Sequence, residues 1–164
     1  MSANLLPDTL TKFIEQYILL LIILMPLDGA VLIALAGRRE SLRNFIAAAV
    51  SGAVFLSCLA LFVKVLTSPL EAGLPWFAGI GLAFRVDLTG ALFALFASLI
   101  WFLATLFSFS YMGHEHRRTR YYVFLIITLS GCLGVFLTKD LFSLFLFFEM
   151  MSLISYVLVI HSES

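Results

Sequence analysis

The chain has 164 residues, of which 62% are hydrophobic and only 12% charged, and its mean hydropathy is +1.09. Soluble domains run near half apolar and about a quarter charged, so a small water-soluble enzyme, a disordered tail and a disulfide scaffold are excluded, which leaves an integral membrane protein. Ten basic residues balance ten acidic ones, with no surplus to attract nucleic acid or anionic substrates.

A helix needs about 20 mainly apolar residues to cross about 30 Å of hydrocarbon. Five stretches have that character: 17–36, 44–63, 88–110, 121–137 and 141–160. Unbroken apolar runs such as Leu19–Leu24 lack the every-second-residue polarity of a membrane β-barrel strand. The expected fold is therefore all-α, a single polytopic helical bundle over residues 1–164, multi-pass in the cytoplasmic (inner) membrane.

The first span carries Asp28 between Pro26 and Gly29. The proline frees a carbonyl and favours a kink, so Asp28 is read either as hydrogen-bonding at that kink or as an accessory group on an ion path. Ala34-Leu35-Ala36 before Gly37 has the look of a signal-peptidase site, but Asp8 and Glu15 precede it and the apolar run is longer than a signal core, so the span is expected to stay. Arg38, Arg39 and Arg43 follow this span, and Arg117, Arg118 and Arg120 follow the third. Lys12, Lys64, Arg85 and Lys139 fall on the other side. The excess assigns the arginine loops to the cytoplasm, the N-terminus to the outside and the C-terminus to the inside.

In the second span Ser51, Gly52 and Ser57 are small enough to let helices approach closely. Cys58 and Cys132 each lie in an apolar run and read as small buried hydrophobes. Residues 67–86 hold Pro69, Gly73, Pro75, Gly79 and Gly81 and predict a turn-rich outer loop on the membrane surface, with Trp76 and Phe77 at headgroup level. Asp87 and Asp140 each precede a span and read as helix caps, and Lys139 as an interfacial anchor. His114-Glu115-His116 is a poor metal site, because histidines two positions apart on a helix point nearly opposite ways.

Glu149 is the most informative position. It lies eight residues after Leu141, about 12 Å into the membrane at 1.5 Å per residue. A central acid opposes insertion by roughly 2.5–3.5 kcal/mol, whereas each of the thirteen Leu, Ile, Phe and Val residues in this span favours it by about 0.3–0.6 kcal/mol. The span inserts, but a carboxylate alone in hydrocarbon takes up a proton unless it finds a partner. Ser152 and Tyr156, three and seven residues on, share its face and form a polar stripe directed at other helices or an internal water chain. Intramembrane acids of this kind mark ion pathways, the alternative being a carboxyl that only fixes packing. His161, at the inner end of the span, is either an interfacial histidine or a proton relay. No heme-ligand pair, phosphate loop or cysteine cluster is present, so the chain is expected to carry no cofactor, metal or redox centre of its own.

The run Phe147-Phe148-Glu149-Met150-Met151-Ser152-Leu153-Ile154-Ser155-Tyr156-Val157-Leu158 resembles the fifth-helix signature of the antiporter-like subunits of respiratory complex I, Mrp-type cation/proton antiporters and membrane-bound hydrogenases. Phe84-Arg85-Val86-Asp87 resembles the lead into that family's third helix, Tyr111-Met112 its exit, and Gly134-Val135 with Thr138-Lys139-Asp140 the turn before its fifth. The resemblance runs from about Pro26 to His161. It implies that Glu149 matches the family's fifth-helix glutamate, which pairs with a lysine on a broken seventh helix and modulates proton movement along a hydrated axis. Phe148 stands where many complex I members carry tryptophan, which leans toward the Mrp or hydrogenase branch.

Members of that family have about fourteen helices in two inverted repeats. Five helices cannot complete such a path, so either another membrane subunit supplies the basic residue opposite Glu149, or the chain is a fragment or a subunit that does not conduct. The function expected is that of a split or shortened antiporter-like subunit contributing to proton or sodium translocation in a redox-driven or antiport complex. The rival is a non-conducting scaffold subunit of the same kind of complex; an independent small-molecule carrier has no recognisable substrate site.

Overall fold

The computed structural model describes the backbone at residues 8–37, 39–75, 81–111 and 118–162, and side chains at 17–37, 39–71, 81–110 and 119–157. Five helices follow one another with a hairpin after the second: α1 (Asp8–Ala36), α2 (Glu40–Val65), β1 (Leu70–Pro75), β2 (Gly81–Val86), α3 (Leu88–Tyr111), α4 (Arg118–Leu137) and α5 (Leu141–Ser162). Among the described residues, α1 to α4 are each long and apolar enough to cross a membrane. The described side chains of α5 form an apolar helix over Leu141–Val157, and its backbone continues to Ser162. The chain is an all-α multi-pass membrane bundle, in which α1, α2 and α4 begin before the expected spans and α3 and α5 begin where expected.

α4 sits among the others and packs on α1, α3 and α5 along its length and on α2 more lightly; α2 packs on α1 and α3. One core cluster joins Leu19 and Ile22 of α1, Val54 and Leu61 of α2, and Leu129, Leu133 and Leu137 of α4. A second joins Ala30 and Ile33, Ala47, and Tyr122 and Ile126. Lipid tails are as apolar as these side chains, so close contact and hydrogen bonds between helices hold the bundle together. Ser130 of α4 donates to the Ile23 carbonyl of α1 at 2.7 Å, and Trp101 of α3 donates to the Leu125 carbonyl of α4 at 2.9 Å. The hydroxyls of Ser51, Thr105 and Thr128 turn back onto carbonyls of their own helices, which satisfies them without water.

Gly37 ends α1 at φ 53°, a left-handed position that a β-carbon disfavours. Its carbonyl accepts a hydrogen bond from Thr119 at the start of α4.

Two local differences separate the structure from the sequence reading. The expected surface loop at 67–86 is in fact an antiparallel hairpin pairing Leu70 with Val86 and Pro75 with Gly81. Burial alternates along Phe84-Arg85-Val86, where Phe84 and Val86 are buried and Arg85 is exposed, and Leu70, Phe84 and Val86 join the main core cluster. Trp76 and Phe77 lie outside the described residues, as do His114, Glu115 and His116.

The second difference is Arg43, counted above among the loop arginines. It stands in the first turn of α2 and is only 3% exposed. Helical spacing puts it on the face that Ala47 and Ser51 also present to the bundle, where its guanidinium lies 5.5 Å from the ring centre of Tyr122.

Candidate functional site

The site is the outward face of α5 around Glu149. Its construction begins at the turn before that helix, where Asp140 caps α5. The Ser143 amide donates to Oδ2 at 3.1 Å and the Ser143 hydroxyl to Oδ1 at 2.7 Å. These bonds, the Ser143 hydroxyl first, hold the Asp140 carboxyl below the usual carboxylate range. Asp87 caps α3 in the same manner, accepting from the Gly90 amide at 2.7 Å.

The hairpin then fixes the start of α5. The Lys139 amide donates to the Ala83 carbonyl at 2.8 Å and the Ala83 amide to the Ser143 hydroxyl at 3.1 Å, so the open edge of β2 is paired with the α4–α5 turn. Glu71 of β1 adds ion pairs to Arg85 at 3.4 Å and to Lys139 at 3.2 Å, all three side chains about half exposed. At that exposure each pair contributes no more than about 1 kcal/mol.

Within the membrane α5 docks on α4 through two glycines. A β-carbon on Gly134 would overlap the ring of Phe147, and one on Gly131 would meet Met151 Cβ at 3.1 Å. Phe147 also lies against Phe84 of the hairpin, with ring centres 6.0 Å apart. Glu149 falls midway between these two contact residues. At about 100° per residue it is turned roughly 200° from Phe147 and as far from Met151, which directs it away from α4. Ser152 and Tyr156 share this face and both are exposed, Tyr156 at 65%, while Glu149 is partly covered by its neighbours. Glu149 forms no hydrogen bond or ion pair with any described residue.

The other residues singled out in the sequence lie elsewhere. Asp28 stands on α1 and is exposed. Lys139 and Asp140 belong to the hairpin end, about 14–15 Å along the axis from Glu149. His161 falls within the α5 backbone, and its side chain lies outside the described residues. No three His, Cys, Asp or Glu side chains cluster as a metal site among the described residues.

Sequence reasoning missed Ser143, whose hydroxyl joins the hairpin to the cap, and Ser130. Both are serines in apolar helices with no motif around them. The signal available was only that a serine in hydrocarbon must find an acceptor.

Comparison with known proteins agrees with this arrangement. Residues 76–122 match the family described as NADH-Ubiquinone oxidoreductase (complex I), chain 5 N-terminus. Over 146 residues the chain is 31% identical to a Na(+)/H(+) antiporter subunit of Alkalihalophilus pseudofirmus, covering 87% of this chain and 29% of that protein. The corresponding Na(+)/H(+) antiporter protein of Bacillus subtilis is 32% identical over 142 residues, covering 84% and 28%. The chain thus spans less than a third of the length of these curated relatives. A chain in the structure of the Mrp complex from a Dietzia species superposes with a TM-score of 0.74 at 28% identity, covering 87% of this chain and 27% of the other. A chain of the membrane-bound sulfane sulfur reductase, an archaeal respiratory membrane complex, gives 0.74 at 26% identity, covering 84% and 22%. By sequence and by fold, the chain is similar to one portion of these antiporter and respiratory membrane proteins.

Proposed function

We propose that this chain is a membrane subunit of a multisubunit antiport or redox-driven complex in the cytoplasmic (inner) membrane, and that Glu149 takes part in its proton or sodium translocation. The chain forms a single membrane domain, with the hairpin end outside and the arginine-rich end in the cytoplasm. The observation that carries the reading is the placement of Glu149: at mid-depth, turned away from α4, on a face shared with Ser152 and Tyr156 and without a described partner. An acid so placed requires a counterpart outside the five helices.

The mechanism is electrostatic. A basic group from a neighbouring helix pairs with Glu149. Opening and closing this pair changes the proton affinity of the basic group, because charge interactions are strong at low dielectric. Ser152 and Tyr156 supply hydroxyls that extend the polar face along α5 and can order water beside the carboxyl. Homology to the Na(+)/H(+) antiporter proteins and the fold shared with a chain of the Mrp complex support this reading.

The test is ion pumping by the reconstituted complex in sealed vesicles. Glu149→Gln and Glu149→Ala should abolish or sharply reduce pumping while the complex remains assembled. Undiminished pumping in both variants, together with failed assembly of Glu149→Leu, would instead identify a scaffold subunit whose glutamate only bonds across an interface.

A further inference from the structure

We propose that the outward face of α1 is an interface for a transmembrane helix of a neighbouring subunit, and that this helix places a lysine or arginine opposite Asp28. The carboxyl lies about 17 Å beyond Tyr17 and about 12 Å before Ala36 along the axis. Its short side chain reaches neither membrane surface, so it cannot escape hydrocarbon by extending as a lysine does.

The direction of Asp28 follows from the packing of its neighbours. Ile22, Pro26, Gly29, Ala30 and Ile33 are buried against the bundle. Asp28 lies on the opposite side of the helix, in line with the exposed Leu21, Leu24, Val31 and Leu35. Rotating α1 to bring the carboxyl inward is blocked. A β-carbon at Gly29 would already stand 2.6 Å from Val50 Cγ1, so the helices touch there at the limit of contact. Nearly two turns earlier, the 2.7 Å bond from Ser130 to the Ile23 carbonyl ties α1 to α4 as well.

Asp28 makes no hydrogen bond or ion pair with any described residue. An acid at this depth on an apolar stripe needs a partner across a helix–helix contact, and a basic side chain is the partner that lets it stay charged. This face also differs from the one that carries Glu149, since α1 packs mainly on α2, α4 and β1, and α5 on α4 and β2. The inference therefore stands whether or not Glu149 moves ions.

The test uses the assembled complex with a photoreactive benzoylphenylalanine at Leu24 or Val31, one turn to either side of Asp28. Irradiation should join the chain to a peptide of another polypeptide that contains Lys or Arg within one helical turn of the attachment point. Asp28→Leu should still reach the membrane at normal levels but recover at least tenfold less of that polypeptide. Replacing the mapped basic residue by Leu in the same background should restore at least half of the recovery. Attachment only to lipid, to a second copy, to the same polypeptide or to a peptide without a basic residue would overturn the proposal, as would the absence of any protein adduct at both positions or undiminished recovery with Asp28→Leu.

Discussion

At Gly134 a single added carbon would lie within the ring of Phe147, while at Gly131 it would press on Met151 Cβ at 3.1 Å. The two positions should therefore differ on substitution. Gly134→Ala is expected to cost about 1–3 kcal/mol, the usual range for overpacking, and Gly131→Ala less, because its shortest approach is 3.1 Å rather than an overlap. Thermal unfolding of the detergent-solubilised chain measures both, and equal losses would show that the notch at Gly134 is not tight. Arg43 poses a different residue-scale question. It is buried, its Nε has no hydrogen-bond partner among the described residues, and its guanidinium meets Thr119 Oγ1 at 3.4 Å, Asn44 Oδ1 at 3.3 Å and the Tyr122 ring. A planar guanidinium stacks where an ammonium does not. Arg43→Lys should accordingly lower stability by roughly 0.5–2 kcal/mol in the same melting experiment, the range for a cation over an aromatic face.

At the level of elements, the hairpin and the α4–α5 turn behave as one joint. Ser143→Ala would remove the hydroxyl that accepts from the Ala83 amide, together with half of the Asp140 cap. The expected loss is about 1–3 kcal/mol, and faster amide exchange at Ala83 would identify the broken bond. Acid should loosen the same joint. The Asp140 carboxyl has its pKa lowered in the folded chain, so its contribution is complete above the ordinary carboxylate value near about 4 and disappears as pH falls through the lower folded value. Asp140→Asn should flatten that part of the pH–stability curve. The helices of this bundle were legible because length and hydropathy decide them, and Glu149 was legible because an acid amid Phe145, Leu146 and Leu153 breaks the pattern. The hairpin was not, since its prolines and glycines signal turns and its strand pairing depends on a register with the α4–α5 turn that no local pattern encodes. Arg43 was misread for a related reason: charge marks a loop by default, and only Tyr122, 79 positions away in the chain, provides the ring it lies over.

Across the whole molecule, the orientation proposed from the distribution of arginines is open to direct measurement. With Cys58 and Cys132 replaced by alanine, Ser68→Cys at the hairpin end should react with an impermeant maleimide added outside intact cells. Ser41→Cys at the start of α2 should react only after the membrane is opened; both positions are exposed. The reverse pattern would invert the topology. One turn of α4 also has a position that no single helix reveals. Ser130 grips the helix that carries Asp28, and its immediate neighbour Gly131 receives the helix that carries Glu149. Two carboxyls that look outward from the bundle thus lean on a common keel only one residue wide at its crest. Wedging that crest apart, as with Gly131→Leu, should disturb subunit adhesion and ion movement together in one preparation, even though neither acid has been altered.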